Sequence, residues 1–329
     1  MHDFIIINQE EVSTVINMDD VIEADEKAYS LKCDHKAELF PIVTHRFENG
    51  GEFDIKSGSM EGAGVFGMKL VSAFADNDKL NLPRLMGTIL VFDSSTGMLK
   101  GMMDGSLITN MRTGAAGAVG CKYLARPESE VLLLVGTGAQ GPVLIDATLR
   151  VMHNIKKILV CNPHTPQKVE TFVEKLKEQI NCDITIEAIL DIEQATRSAD
   201  IILTAVPSRE GVIDSDWVKP GTHLSCIGSD MEGKQELEVS LMGRAKVFCD
   251  DLNQVIKIGE CEKAVKQGIL IPENITEIGD VILGKATGRD NNQQITIFDS
   301  TGIGLQDLMV ASKVTDVALS KGIGTKMKI

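Results

Sequence analysis

Positively charged side chains are in short supply in this chain. Its 329 residues include 33 Lys and Arg against 47 Asp and Glu, which gives a formal net charge of −14 at pH 7. A phosphate backbone or an anionic membrane surface binds proteins through clustered cations, and the sequence contains no basic run of that kind. We therefore expect neither nucleic acid nor a membrane as a partner.

Long apolar runs and aromatic residues are also scarce. Runs such as Val131–Val135 fall far short of the roughly 20 residues that a membrane-spanning helix needs. The residues up to Ser30 are rich in Asp and Glu, whereas a signal peptide begins with basic and then apolar residues. Aromatic residues make up only 4% of the chain, so the core must be mainly aliphatic, which suits an α/β enzyme. We expect a globular, cytoplasmic protein.

Metal-binding and disulfide patterns are absent. The seven cysteines form no Cys-x-x-Cys pair, and the six histidines lack metal-ligand spacing. The cysteines are therefore predicted to be reduced and mostly buried, and no metal site is expected. They are Cys33, Cys121, Cys161, Cys182, Cys226, Cys249 and Cys261.

Hydrophobic patterning divides the chain into two parts. From about Glu130 onward, short apolar runs such as Val131–Val135 and Lys157–Cys161 alternate with turns and amphipathic segments. This alternation predicts a parallel sheet covered by helices on both faces. The earlier part has fewer helical periods and many short runs broken by Gly, Asn and Pro, although Val65–Ser72 and Leu85–Phe92 are typical of strands.

The sequence therefore predicts an α/β protein with two domains. A Rossmann-type, doubly wound parallel sheet is assigned to residues 118–304. A second, α+β domain is assigned to residues 1–117 together with residues 305–329.

A glycine-rich loop lies at the start of the predicted parallel sheet. Gly136, Gly138 and Gly141 complete a G-x-G-x-x-G pattern, with Ala139 and Gln140 inside it, directly after an apolar strand and before a helix. In this context the glycines allow a tight turn, close approach of a pyrophosphate and close packing of helix on strand. The pattern predicts binding of a dinucleotide, NAD or NADP.

The choice between NAD and NADP stays open in the sequence. An acidic residue at the end of the second strand would bind the ribose 2′-OH of NAD and repel a 2′-phosphate. Here that strand ends at Asn162, which is neutral and can accept either cofactor.

Three cations stand among small or apolar neighbours and are candidates for binding an acidic substrate: Arg46, Lys69 and Arg112. A cation in such surroundings is costly unless it meets an anion. Spacing alone favours a structural explanation for each of them, either an internal salt bridge or a side chain that reaches the surface.

Asp230 lies just beyond the strand predicted at Thr222–Ile227, on the sheet edge where α/β proteins bind their ligands. A carboxylate there can act as a general acid or base, or it can cap a helix. Ser300, after a later strand, has a similar position and could approach a nicotinamide. The sequence contains no nucleophile elbow, Walker loop or zincin motif, so hydrolase and phosphotransferase functions lose their usual support.

In combination these motifs resemble the ornithine cyclodeaminase and mu-crystallin family over nearly the whole chain. The shared motifs are Gly67-Met-Lys69, the segment Asp104–Ala116, Gly136–Gln140, Ile227–Asp230 with Lys234, and Phe298–Gly302. The resemblance implies that Arg46, Lys69 and Arg112 bind a substrate α-carboxylate and that Asp230 and Lys69 are the catalytic residues. It places the cofactor contacts, beyond the glycine loop, at Asn162, Thr204, Ile227, Ser229, Lys234 and Ser300. It also implies a homodimer formed through the non-nucleotide domain, which would bind the substrate.

The same resemblance implies hydride transfer between the nicotinamide C4 and the Cα of a small amino or imino acid. Alternatives remain open: an imino-acid reductase or amino-acid dehydrogenase acting on iminosuccinate, alanine or a cyclic ketimine; an ornithine cyclodeaminase; or a non-catalytic NADP-dependent binder. Cyclodeaminases have a glutamate about ten residues beyond the first arginine, and Ile55–Gly58 occupies that region here, which favours the reductase branch. If the substrate is a diacid, Lys56 or Arg84 could hold its second carboxylate.

Overall fold

The computed structural model describes residues 2–180 and 183–329. The chain forms two compact units: the first comprises the chain up to Arg112 together with Ile303–Ile329, and the second comprises Thr113–Gly302. The sequence-based boundaries lie at residues 117/118 and 304/305, a few residues beyond each of these. Within the described residues, no helix is long and apolar enough to cross a membrane.

The N-terminal segment contains two helices that begin with the same device. Asn8 and Asn17 each accept a hydrogen bond from the backbone N–H three residues later, and the acid at that later position bonds back. These capping boxes satisfy backbone groups that a helix start leaves open. The elements up to the domain boundary are β1 (Asp3–Ile7), α1 (Gln9–Val15), α2 (Met18–Cys33), β2 (Ala37–Leu39), β3 (Val43–Arg46), β4 (Glu52–Met60), β5 (Val65–Ala73), β6 (Leu85–Asp93), β7 (Leu99–Asp104) and α3 (Ser106–Leu124).

The second unit alternates strands and helices. Its elements are β8 (Val131–Val135), α4 (Gln140–Val151), β9 (Lys157–Cys161), α5 (Val169–Gln179), β10 (Thr185–Ala188), α6 (Ile192–Ser198), β11 (Ile201–Thr204), β12 (His223–Cys226), β13 (Ala245–Cys249), α7 (Leu252–Val255), α8 (Cys261–Lys266), β14 (Ile275–Glu277), α9 (Ile278–Ile282) and β15 (Ile295–Asp299). The chain then returns to the first unit with α10 (Gly304–Lys321) and β16 (Thr325–Lys328).

The sheet of the second unit is parallel throughout, in the order β10-β9-β8-β11-β12-β15-β13-β14. Alternate residues of β8 enter different cores: Leu132 and Leu134 pack with α4 and α5, while Leu133 and Val135 pack with α6 and later segments. Both faces are thus covered, and the predicted doubly wound α/β fold is confirmed. The strand order reverses between β8 and β11, where such sheets bind ligands at their carboxyl ends.

The sheet of the first unit is mixed, in the order β16-β1-β7-β6-β5-β4-β2, with β3 also beside β4. Helix α10 packs on one face of it, and Gly67 shows how closely: a Cβ there would lie 2.8 Å from the Leu308 side chain and 2.2 Å from the Leu90 carbonyl oxygen. Strand β4 falls where the sequence predicts only short broken runs. The glycine and the polar residues of β4 interrupt the hydrophobic pattern that would have predicted this continuous nine-residue strand.

Six of the seven cysteines are buried and free of disulfides, as predicted; Cys182 lies outside the described residues.

Candidate functional site

The glycine loop between β8 and α4 has the geometry that its sequence predicts. Gly136 has φ of 123°, its N–H donates to the Cys161 carbonyl at 2.8 Å, and a Cβ there would lie 2.6 Å from the Ala205 carbonyl oxygen. Gly141 lies so close to Phe172 that a Cβ would come within 2.8 Å of its ring. A Cβ at Gly138, in contrast, would meet no atom within 4 Å. Open space at the second glycine is what a bound pyrophosphate requires.

The beginning of α4 carries donors suited to phosphate. No side chain caps the helix at Ala139, so the first N–H groups of this twelve-residue helix and its partial positive charge are directed outward. The donor set therefore fits the pyrophosphate of a dinucleotide.

Asn162 joins the end of β9 to the glycine loop. Its Nδ2 donates to Thr137 Oγ1 at 2.8 Å, and its Oδ1 accepts the N–H groups of His164 and Thr165 at 3.0 and 3.1 Å. The side chain thus closes the turn that would border the ribose. Its predicted contact with the cofactor stays a prediction.

Two buried glutamates, which the sequence did not reveal as functional, hold the turns at the carboxyl ends of β11 and β12. Glu236 accepts hydrogen bonds from Thr204 Oγ1 at 2.7 Å and from the N–H groups of Val206 and Gly228, each at 2.8 Å. Burial, followed by the charge of Glu260, raises the pKa of Glu236 to about 8. Thr204 is consequently committed to a carboxylate within the protein.

Glu260 fastens the segment on which Ser229 and Lys234 lie. Its carboxylate accepts the Ser229 hydroxyl, the N–H of Glu236 at 2.6 Å and the N–H of Leu237 at 3.0 Å. Burial raises the pKa of Glu260, although these donors oppose the shift. In the sequence the two glutamates lie in the segments Gly233–Leu237 and Ile258–Glu260, which resemble the imino-acid reductase branch of the family, but their buried role is not evident there.

Asp230 lies in this segment, directly after the turn that contains Ile227. Its side chain is 50% exposed and forms an ion pair with Lys234. No helix begins at Asp230, so the alternative role of helix cap is wrong. The carboxylate lies at the carboxyl edge of the sheet, as predicted, with a cation beside it.

Ser300 follows β15 at the same edge. Its N–H donates to the Cys226 carbonyl at 3.0 Å, and its hydroxyl donates to Asp250 Oδ2 at 3.3 Å. The same Asp250 oxygen accepts the N–H of Gly302 at 2.7 Å. Asp250 therefore sets the shape of the turn that presents Ser300.

In the first unit, Lys69 and Arg112 meet at one buried carboxylate. Lys69 Nζ lies 2.7 Å from Asp307 Oδ2 and 3.3 Å from Thr109 Oγ1, and Arg112 Nε lies 3.2 Å from Asp307 Oδ1. Lys69 is 1% exposed and Asp307 is fully buried. We call these four residues the cation cluster. An internal salt bridge, one of the alternatives that the sequence left open, is present for both cations.

The cation cluster nevertheless carries more positive than negative charge. The charges of Lys69 and Arg112 outweigh the effect of burial and lower the pKa of Asp307, so that this acid is ionised. Burial, only partly offset by Asp307, lowers the pKa of Lys69 to about 7. Nearby Asp25 bonds to Gln306 at 2.7 Å, and burial raises its pKa well above the ordinary value, which favours its neutral form. When Lys69 is protonated, two cations therefore share one carboxylate, and a second carboxylate would balance them.

The other two arginines that the sequence singles out as candidates for binding substrate, Arg46 and Arg84, are on the surface. Arg46 ends β3, pairs with Glu52 at 3.1 Å and has a side chain that is 69% exposed. Arg84 pairs with Asp78 and is similarly exposed. The structure does not bring Arg46 into the cluster with Lys69, and its predicted contact with substrate stays a prediction.

Asp307 is the residue of the cation cluster that the sequence did not reveal. Helix α10 begins at Gly304, ahead of the more continuous apolar pattern from Val310, and places Gln306 and Asp307 on its buried side. The two adjacent polar residues Gln306 and Asp307, in an otherwise apolar helix start, were the feature of the sequence that could have indicated a buried polar site.

Known proteins resemble this chain over its full length. Residues 3–322 match the ornithine cyclodeaminase/mu-crystallin family. The alanine dehydrogenase of Archaeoglobus fulgidus is 36% identical over 326 residues, covering 98% of each chain. The iminosuccinate reductase of Paracoccus denitrificans is 32% identical over 326 residues, covering 99% of this chain and 100% of that protein.

Solved structures agree with these relatives. An archaeal alanine dehydrogenase dimer with bound NAD superimposes with a TM-score of 0.92 at 36% identity and full coverage of both chains. The Paracoccus denitrificans iminosuccinate reductase in complex with NAD⁺ gives 0.94 at 31% identity, again with full coverage. The Thermococcus litoralis Δ1-pyrroline-2-carboxylate reductase, in complex with NADH and L-proline, gives 0.90 at 29% identity, covering 98% and 99% of the chains. The predicted resemblance is thereby confirmed, and the chain belongs to the ornithine cyclodeaminase/mu-crystallin family.

Proposed function

We propose that this protein is an NAD(P)-dependent oxidoreductase that transfers hydride between the nicotinamide C4 and the Cα of a small amino or imino acid. The observation that carries the proposal is the cation cluster, in which Lys69 and Arg112 share Asp307 and retain capacity for one more carboxylate. Relatives that act as alanine dehydrogenase, iminosuccinate reductase and pyrroline-2-carboxylate reductase support the same class of reaction.

The second unit would hold the cofactor. The amides of Gly138, Ala139 and Gln140 at the start of α4 bind the pyrophosphate, and Gly136 and Gly141 keep strand and helix close enough for them to do so. The remaining contacts are assigned to Asn162, Ile227, Ser229, Lys234 and Ser300. The predicted contact Thr204 is fully buried and donates its hydroxyl to Glu236, so it is assigned a supporting role beside them. When bound, the nicotinamide supplies or accepts the hydride.

The first unit would hold the substrate carboxylate. Lys69 and Arg112 donate charge-assisted hydrogen bonds to it and orient the Cα–N bond, with Arg46 as a further predicted contact. Lys69 is a catalytic candidate as well, because its pKa near 7 allows it to hold or release a proton at neutral pH.

Asp230 is proposed to exchange a proton with the substrate nitrogen. Reduction of a neutral imine requires one proton at nitrogen, and oxidation of the neutral amine releases it again. Lys234, four residues later, forms an ion pair with this carboxylate.

We further propose that two copies of the chain form a homodimer through the first sheet. The face of that sheet opposite α10 carries Phe66, Met68, Leu90, Phe92 and Met102, and the rings of Phe66 and Phe92 stack with centroids 5.0 Å apart. Met102 is 38% exposed. A contiguous apolar face of this kind is typical of an interface between proteins, and an archaeal alanine dehydrogenase of the same family is a dimer.

A substrate panel tests the catalytic proposal. Oxidation of NADH and of NADPH should be followed with pyruvate plus ammonia, oxaloacetate plus ammonia, and pyrroline-2-carboxylate. Turnover of at least one of these supports the oxidoreductase. Cofactor binding without turnover would favour the non-catalytic binder, and formation of proline and ammonia from ornithine with NAD would favour the cyclodeaminase.

Gly138→Ala tests the cofactor site without relying on activity. Because the added methyl group meets no protein atom within 4 Å, the fold should tolerate it. The methyl group would still occupy the space that the pyrophosphate needs, so affinity for NADH should fall about tenfold or more. Fluorescence titration with NADH and a thermal melt read the two effects separately; unchanged NADH affinity would contradict the assignment.

A further inference from the structure

A short segment, Glu260–Lys263, binds several of the loops at the carboxyl edge of the second sheet. Its first residue holds the turn after β12, as described above. The N–H of Cys261 donates to Asp299 Oδ2, at the end of β15, at 2.9 Å. Lys263 Nζ donates to the carbonyl of Arg209, in the loop after β11, at 2.6 Å. We call these four residues the anchor segment, because they join loops that follow three different strands.

Glu262, the remaining residue of the anchor segment, is 3% exposed. Its Oε2 accepts the N–H of Gly233 at 2.8 Å, and its Oε1 accepts Lys266 Nζ at 2.6 Å. The Lys266 side chain is 59% exposed, so this partner lies at the surface. A buried carboxyl group with a donor on each oxygen has a defined position. Glu262 therefore fixes the backbone at Gly233.

Gly233 belongs to the turn Asp230–Lys234, which carries the proposed acid–base residue. Its φ of 77° is in the left-handed region that favours glycine, and a Cβ there would lie 3.1 Å from Arg209 Nη1. Asp230 and Lys234, at the two ends of the turn, form an ion pair. Ser229, directly before the turn, donates its hydroxyl to the first residue of the anchor segment. The anchor segment thus binds the chain at two points, one before Asp230 and one after it.

We propose that Glu262 is a positioning residue for Asp230. By holding Gly233 it keeps the second half of the turn in place, and the Asp230 carboxylate is presented to the substrate nitrogen in one position. Proton exchange requires the two heavy atoms to come within about 2.6–3.2 Å of each other, which a half-exposed carboxylate on a freely moving turn would rarely satisfy. The inference rests on the proposed function, because it concerns the proton exchange assigned to Asp230.

Two variants of similar size separate the hydrogen bond from the volume of the side chain. Glu262→Gln keeps an oxygen that can accept the Gly233 N–H, whereas Glu262→Met fills similar space without an acceptor. Both variants remove the charge, and the exposed Lys266 can then turn to water, so no buried cation is left without a partner. Glu174→Met, at an exposed position on α5, is the control.

Amide hydrogen exchange of the turn measures the anchoring directly. In Glu262→Met, the Gly233 amide should exchange about tenfold or more faster than in the wild-type protein, because its acceptor is lost. In Glu262→Gln the change should stay within about threefold, and in Glu174→Met the rate should be unchanged. A thermal melt checks that each variant is folded.

Kinetics test whether the anchored position matters for turnover. With a substrate that the panel identifies, Glu262→Met should lower kcat about tenfold or more and change KM less than about twofold, because the substrate carboxylate is assigned to the cation cluster. Glu262→Gln should retain kcat to within about threefold. When Asp230→Asn is already present, adding Glu262→Met should lower kcat by less than about twofold, since the side chain that Glu262 positions no longer exchanges a proton.

Three results would overturn the proposal. They are a Gly233 amide that exchanges as slowly in Glu262→Met as in the wild-type protein, a Gln variant with as large a loss of kcat as the Met variant, and an equal loss of kcat with and without Asp230→Asn. If the wild-type protein turns over no substrate of the panel, the proposed function fails. The exchange rates of the variants still decide whether Glu262 holds the turn.

Discussion

At the scale of single residues, the cation cluster shows why a buried ion pair and a binding site are compatible. One carboxylate cannot satisfy two protonated cations, and the hydrogen bonds that Lys69 and Arg112 donate to Asp307 leave an excess of positive charge on side chains that are at most 10% exposed. A ligand carboxylate removes that cost. The salt bridge therefore holds the two cations in place and leaves them a net positive charge that attracts an anionic ligand.

The lowered pKa of Lys69 predicts that the affinity for a carboxylate ligand depends on pH. Burial lowers its pKa to about 7, and a bound carboxylate must raise that pKa because it favours the charged ammonium. Above pH 7, binding of a monocarboxylate such as butyrate should take up about one proton and weaken about tenfold per pH unit. Calorimetry at pH 8 in two buffers of different ionisation enthalpy measures the uptake.

The same titration at pH 6 is its internal control, since Lys69 is then already protonated and little uptake is expected. Lys69→Met should abolish uptake at pH 8. Proton-independent binding by the wild-type protein would show that Lys69 does not meet the ligand.

The proposed role of Asp230 predicts that its substitution lowers turnover but leaves binding of NADH nearly unchanged. Asp230→Asn keeps the shape of the side chain and removes its ability to exchange a proton, so kcat should fall about 100-fold or more while NADH affinity stays nearly intact. Stopped-flow or steady-state kinetics, together with NADH fluorescence, measure both quantities. A fully active Asp230→Asn variant would refute the acid–base role.

At the scale of elements, the carboxyl edge of the second sheet depends on buried acids that link one turn to another. Glu236 joins the turns after β11 and β12, Glu260 fastens the segment that follows β12, and Asp250 fastens the turn after β15. Each of these carboxyl groups accepts two backbone N–H groups that would otherwise lack partners. The predicted cofactor contacts Thr204, Ser229 and Ser300 are positioned by these acids.

Glu236 predicts a dependence of stability on pH. Its pKa is raised from 4.5 to about 8 in the folded protein, first by burial and then by Glu260, so the folded chain holds a proton that the unfolded chain releases. Its contribution to the free energy of unfolding is fully present below about pH 4.5 and is lost as pH rises toward 8. In Glu236→Gln, the slope of this free energy against pH should be shallower by about one proton between pH 5 and 8.

Urea unfolding at several pH values measures that slope, and Glu170→Gln, an exposed position on α5, provides the matched control. The Gln substitution also disturbs hydrogen bonds, which shifts stability at every pH. Only the slope reports the proton, and a slope identical to that of the wild-type protein would contradict the assignment.

The sequence predicts helices and strands correctly where their hydrophobic pattern is carried by residues that are close together in the chain. The strands β8 and β9 match the apolar runs Val131–Val135 and Lys157–Cys161 because a strand that is buried on both faces is apolar at nearly every position, with Lys157 at the half-buried start of β9 as the exception. Strand β4 escaped prediction because one of its faces must accommodate α10, which selects small or charged residues that interrupt the pattern.

At the scale of the whole molecule, the proposed dimer is testable through the apolar face of the first sheet. Met102→Glu places a charge on that face at a side chain that is 38% exposed in the single chain, so folding should be preserved. Burying the charge between two copies is costly, and the dissociation constant of the dimer should rise about 100-fold or more. Analytical ultracentrifugation measures it.

Leu190→Glu is the control, because Leu190 is an exposed leucine of the second unit, 68% exposed. It should leave the association state unchanged. A wild-type protein that sediments as a monomer, or a Met102→Glu variant that dimerises as tightly as wild type, would contradict the proposed interface.

The sequence alone determined the dinucleotide loop, the parallel sheet around it and the place of Asp230 at a strand end. These features depend on residues that are close together in the chain, where strand, turn and helix propensities act locally. The tertiary structure decided which charges meet. Arg112 and Asp307 are 195 residues apart and become partners only because α10 packs against the first sheet. The register of β4 and β5, which no local pattern specifies, places Lys56 beside Lys69.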